Sequence, residues 1–228
     1  MRLIDTHSHL FLEEFSEDFP QVIERARAAG VTHIFMPNID STTIEAMLSA
    51  CSVYKGYCFP MIGLHPTSVN ANYEKELEIV ARELKFSKEY VAIGEIGMDL
   101  YWDKTYLKEQ QIVLDKQVNW ALEYDLPIVI HCRDAFDYIY KVLEPYKKTP
   151  LRGIFHSFTG TAEEATRVLE FSDFFIGING VVTFKKSHLP EILAGIPLEK
   201  IVLETDSPYL TPVPNRGKRN ESAYVKDT

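Results

Sequence analysis

Short apolar, β-branched runs recur along the chain, separated by longer stretches with helical periodicity. Eight of these runs read as strands: RLIDTH, VTHIFMP, CFPMIGLH, YVAIGEIG, PIVIHC, RGIFHSF, DFFIGING and KIVLETD. The segments between them fit amphipathic helices. FPQVIERARAAG ends on Gly30 as a C-cap. KEQQIVLDKQVNWALEYD carries Ile112, Leu114, Val118 and Leu122 at near-helical spacing, which predicts the buried face. TAEEATRVLEF opens on a threonine able to cap, followed by acidic residues in the first turn.

Strand–helix alternation with short connections implies parallel strands joined by right-handed crossovers. Repeated eight times, it predicts an α/β fold, the closed (β/α)₈ TIM barrel, spanning residues 1–228 as one domain. A doubly wound open sheet is the competing layout, but it calls for a glycine-rich loop after the first strand, and DTHSHLFLEEF has no glycine. Only a short tail rich in Pro, Gly and charge follows the eighth run, SPYLTPVPNRGKRNESAYVKDT. The expectation is therefore a barrel lacking its last C-terminal helix through truncation, with ESAYVKDT at most the first turn of it.

Composition narrows the function classes. A formal charge of −9 argues against binding nucleic acid through diffuse positive charge, while leaving room for action at one local site. The three cysteines, Cys51, Cys58 and Cys132, are odd in number and lack C-x-x-C spacing, so a disulfide framework is not expected. No signal peptide or membrane span is apparent, and a reduced, cytoplasmic compartment and a monomer are expected.

The chemistry lies at the ends of the apolar runs. His7 and His9 close the first, His65 the third, Glu95 the fourth, His131 the fifth, His156 the sixth and Asp206 the eighth. In a barrel all of these meet at the C-terminal mouth, where active sites of this architecture lie. Residues two apart on a strand share a face, so His7 and His9 can grip one ion together. Glu204 and Asp206 also share a face, and Asp206 is closer to the rim. Four histidines and two carboxylates exceed what one tetrahedral ion uses. They suit two divalent ions bridged by Glu95, with Asp206 on one of them and a hydroxide between them. Mixed N/O ligation favours Zn, Mn, Fe or Ni over Mg.

Each residue alone has a plainer explanation. A lone H-x-H is more often a strand end, a lone His after an apolar run is more often a hydrogen-bonded core residue, and a buried Glu is costly without a cation. The metal site rests on all of them recurring together. His33 begins its run and His188 opens a helix, so both are expected to be structural.

In this order, DTHSHL, GLHP, AIGEIGMDLYW, IHCRDA, FHSFTG, NGVVTFKK, LETDSPYLTP and RGKRNE resemble the TatD family of metal-dependent deoxyribonucleases, within the amidohydrolase-like barrels. The resemblance implies His7, His9, Glu95, His131, His156 and Asp206 as metal ligands, with two divalent ions of Zn, Mg or Mn. It implies that His65 and Arg133 face the substrate phosphate, that Asp206 and Glu95 are catalytic, and that the substrate is DNA, single-stranded or at frayed ends. Leu64 stands where the family often has Cys, and Ser222 where it often has Pro.

For Arg133 the plainer alternative is an ion pair with Asp134 or Asp137. RGKR (residues 216–219) either adds positive potential at the mouth or is a solvated loop. Tyr101 and Trp102 either stack a base or only wall the pocket. Three functions compete: an exonuclease on DNA ends, a hydrolase of a small amide, lactone or phosphoester, and a non-catalytic metal-binding protein.

Overall fold

The computed structural model describes residues 1–228. Eight strands form: β1 (Leu3–Asp5), β2 (Val31–Pro37), β3 (Cys58–Met61), β4 (Ile93–Asp99), β5 (Ile128–Arg133), β6 (Gly153–Phe155), β7 (Phe174–Ile178) and β8 (Ile201–Leu203). Each coincides with a predicted run. Seven α-helices intervene: α1 (Phe19–Ala28), α2 (Ile44–Val53), α3 (Tyr73–Phe86), α4 (Leu107–Glu123), α5 (Phe136–Leu143), α6 (Ala162–Val168) and α7 (Leu189–Leu193). None is long and apolar enough to cross a membrane.

The strands pair in parallel as β1-β2-β3 and β4-β5-β6-β7-β8. Two junctions join these ladders. At β3–β4, Ile62 donates to the Ala92 carbonyl at 3.2 Å and Gly94 to that of Ile62 at 2.9 Å. At β8–β1, Thr6 donates to Leu203 at 3.2 Å, Asp206 to His7 at 2.9 Å and His9 to Ser207 at 2.8 Å. Both seams are thus bridged by backbone bonds, and the strands follow the closed order of a (β/α)₈ barrel rather than that of an open sheet. β4 is buried along its whole length, as a parallel strand covered on both faces must be.

Helix ends follow local chemistry. Thr161 and Glu164 form a reciprocal capping box at the start of α6. Gly30, just past α1, has φ +93°, which accommodates the left-handed turn.

Helix α4 differs from its predicted face. Ile112 is exposed, whereas Gln110 and Gln117 are buried beside Val113, Leu114 and Val118. The amides hold backbone that the strands leave unpaired. Gln110 Oε1 accepts from Asp99 N at 2.9 Å and its Nε2 donates to Asp99 O at 3.2 Å. Buried amides with such partners are no penalty in a core.

The tail also departs from a bare first turn. It runs back across α1 and ends in a 3₁₀ segment, Ser222–Asp227, whose Val225 joins the main hydrophobic cluster. Arg25 clamps Glu221 through Nε at 2.8 Å and Nη2 at 2.6 Å, tying this segment to α1.

Candidate metal centre

The mouth is assembled from strand ends that backbone bonds hold in register. Beyond β1, His7 and His9 project from adjacent same-face positions, and the two Nε2 atoms lie 3.2 Å apart. Asp5, two residues earlier, is fully buried. Its carboxylate accepts from Thr205 N at 2.9 Å and Thr205 Oγ1 at 2.7 Å, locking the end of β1 to the end of β8. Burial pushes the Asp5 carboxyl up to about 7 despite those donors.

Glu95 is the hub. Its Oε2 lies 3.1 Å from His7 Nε2 and 3.6 Å from His9 Nε2. Its Oε1 lies 2.9 Å from His131 Nδ1, 3.3 Å from His65 Nε2 and 3.7 Å from His156 Nε2. Asp206 closes the opposite side, with Oδ1 at 3.6 Å from His9, 3.8 Å from His156 and 3.9 Å from His7. The His7 and His156 rings stack at 3.4 Å between centroids. All six predicted ligands therefore converge, and His65 comes as near Glu95 as they do. Gly97 allows β4 and β5 to meet here: it has φ +138°, and a Cβ would lie 2.0 Å from the His131 carbonyl oxygen.

Two outer carboxylates back the histidines: Asp99, which escaped the sequence reading, and Glu204, which it set behind Asp206. Asp99 Oδ2 lies 2.9 Å from His131 Nε2. Glu204 Oε1 lies 3.0 Å from His156 Nδ1, off the line of a good hydrogen bond, and accepts from Ser157 N at 2.6 Å. Gly177 leaves the room for Glu204, since a Cβ there would sit 2.6 Å from its Oε2. The available signal was spacing: Asp99 is four residues after Glu95 and Glu204 two before Asp206, both same-face intervals on a strand.

Charge is concentrated in this small volume. Burial pulls His131 down, but bonds to Asp99 and Glu95 outweigh it and push it up to about 9. Burial likewise opposes His156, and Glu204 and Asp206 raise it to about 10. For His7 and His65 burial wins, and both are lowered. Burial alone would raise Glu95; the neighbouring His65 and His7 instead hold it well below the usual carboxylate range.

The residues fit a metal centre. His7, His9 and Glu95 form one group whose ligand atoms lie within 4.8 Å of one another. His7, His156 and Asp206 form a second, and His65, Glu95 and His131 a third. Nδ1 of His7 and His9 and Oε2 of Glu204 are buried without a hydrogen-bond partner, although buried polar atoms are normally satisfied. Facing imidazole nitrogens around a shared carboxylate are what a cation would reconcile.

The sequence matches the family described as TatD related DNase over residues 4–228. The chain belongs to the TatD family. It is 39% identical over 225 residues to the uncharacterized metal-dependent hydrolase YabD of Bacillus subtilis, covering 98% of this chain and 87% of that protein. It is 32% identical over 229 residues to the 3'-5' ssDNA/RNA exonuclease TatD of Pantoea ananatis, again covering 98% and 87%. The crystal structure of YjjV, a TatD homologue from Escherichia coli, superposes with a TM-score of 0.91 at 30% identity, covering 98% of this chain and 86% of that one. The protein is accordingly a metal-dependent hydrolase of the TatD family.

In this TatD family member the rim is built by Arg133, Tyr101 and Trp102. Arg133 makes no ion pair with Asp134 or Asp137; its guanidinium lies 4.0 Å from the Tyr101 ring centroid and 5.5 Å from that of Trp102. Asp137 pairs instead with Arg167 at 2.6 Å. A cleft of about 950 Å³ opens beside the centre, sharing His156 and Arg133 with it and extending to Tyr138, Phe158 and Lys186. RGKR does not line it. Arg219 binds Asp18 at 2.7 Å and lies 4.4 Å from the Phe15 ring centroid, and Arg216 lies over Phe184. His33 stacks on Phe59, and His188 stands exposed at the start of α7, where it lines the cleft.

Proposed function

We propose that this TatD family hydrolase cleaves phosphodiester bonds at the ends of single-stranded DNA, as an exonuclease that uses two divalent ions. The observation that carries this reading is the split of Glu95: Oε2 faces His7 and His9, while Oε1 faces His131, His65 and His156. His7, His9, Glu95, His131, His156 and Asp206 would hold the ions, which would be Zn, Mn or Mg. When bound, the ions supply an activated water and neutralise charge on the transferring phosphoryl group.

The chain's own groups supply the rest. Burial would raise Asp206, but His156, His9 and His7 outweigh it and lower it, so the carboxylate is available to orient a water and take its proton. Glu95, held ionised, bridges the two sides. His65 projects Nε2 into the centre while Nδ1 stays within 2.6 Å of Thr67 Oγ1, so the ring is fixed and presents one nitrogen to a phosphate oxygen. Arg133 offers a planar fork to non-bridging oxygens.

The strand's remaining length would lie along the cleft towards Lys186, with Tyr101 and Trp102 exposed to receive a base. The Pantoea ananatis relative's name, a 3'-5' exonuclease on single-stranded DNA and RNA, supports the same substrate class.

The test is cleavage of single-stranded oligonucleotides carrying terminal or internal labels, with Mg, Mn or Zn and with chelator. Release of single nucleotides from one end, abolished by chelator, is expected. Absence of cleavage with all three metals would overturn the nuclease assignment.

A further inference from the structure

Asp99 uses its two carboxylate oxygens for different tasks. Oδ2 lies 2.9 Å from His131 Nε2. Oδ1 accepts from the backbone amides of Tyr101 at 3.0 Å and Trp102 at 3.4 Å, so it starts the turn that forms the rim. The residue is 3% exposed, and Gln110 fixes its backbone from α4 at both N and O. Arg133, its partner across β4–β5, lays its guanidinium over the two aromatic rings of that turn. One rigid carboxylate therefore touches a candidate ion ligand and the candidate base-stacking surface at once.

We propose that Asp99 is a positioning residue that couples ion loading at His131 to the arrangement of the Tyr101–Trp102 rim. A cation that takes a His131 nitrogen changes what the ring presents to Oδ2, and the same carboxylate carries that change to the amides of the rim. The rim is then set for nucleic acid only when the centre is loaded. This rests on the metal reading above but not on nuclease activity.

The chain has two tryptophans, so Trp120→Phe leaves Trp102 as the sole fluorophore. Zinc is titrated into this chelator-treated protein, with calorimetry and Trp102 emission read in parallel. Zinc binding with a matching emission step is expected. Asp99→Asn keeps an acceptor for both rim amides but removes the charge beside His131. It should weaken one zinc by roughly 10–100-fold and abolish the emission step at saturating zinc.

If Asp99 carries zinc binding without any Trp102 step, the coupling is wrong whatever the variant does. Asp99→Asn with wild-type zinc affinity, or with the full step at saturation, overturns it as well. Failure of the Asp99 protein to bind zinc at all would instead sink the metal reading beneath it.

Discussion

Gln117 holds both backbone groups of Leu64: its Oε1 accepts from Leu64 N at 2.7 Å and its Nε2 donates to Leu64 O at 3.3 Å. The contact joins α4 to the loop after β3 and fixes the residue immediately before His65. Gln117→Met fills the volume but leaves a buried N–H and C=O without partners. Such groups cost about 1–3 kcal/mol each when orphaned, so a loss of about 2–6 kcal/mol is expected. Urea unfolding measures it; a change under 1 kcal/mol would mean that Leu64 finds other partners, such as water.

Glu95→Ala should remove ion binding on both sides together, because His7 and His9 meet Oε2 while His131 and His65 meet Oε1. His131→Ala should weaken one ion and spare the other. Metal content after dialysis distinguishes them. Two equivalents retained by the Glu95 variant would refute the bridge.

Much of this centre was legible because six of the eight apolar runs close on titratable residues, and the barrel turns a list of run ends into a ring. Of the outer carboxylates, Asp99 was not, and Glu204 was legible only as a rival to Asp206. Within LETD, Glu204 and Asp206 have the same period and the same chemistry, and only the depth of the mouth separates a residue that faces His7 and His9 from one that backs His156. Gln110 and Gln117 were missed for a different reason. Periodicity counts apolar positions, so Ile112 took a place on the buried face that amides fill in the fold. RGKR was left open between the mouth and a solvated loop, and charge alone could not decide: Arg219 binds Asp18 and packs on Phe15, which secures the tail.

The raised histidines make ion binding a proton exchange. Without a cation, His131 at about 9 and His156 at about 10 keep protons at neutral pH that a histidine at its ordinary 6.5 would shed. Their contribution to metal-free stability is full below 6.5 and is lost as pH rises through about 9–10. Ion ligation requires neutral imidazole, so binding should expel about one proton from each and tighten as pH rises from 6 towards 9. Calorimetry in buffers of different ionisation enthalpy reads the release directly. Binding heats independent of buffer would contradict it.

The cleft separates a nuclease from a hydrolase of small esters. Lys186 lines it together with Arg133 and has no ion-pair partner, and Trp102 is 71% exposed at the rim. In the proposed reading, a small phosphodiester such as bis(p-nitrophenyl) phosphate would engage the Glu95 centre alone, whereas an oligonucleotide would also meet both residues. Lys186→Ala should raise KM for single-stranded DNA and lower the salt slope by about one charge. Trp102→Ala should cost about 1–3 kcal/mol of binding for the base it stacks. Lys186→Ala should leave turnover of the small ester unchanged, and Trp102→Ala should change it less than it changes DNA binding. If both variants impair the two substrates equally, or leave DNA binding intact, the cleft is not the strand's path. The small-ester reading then becomes the better account of the same centre.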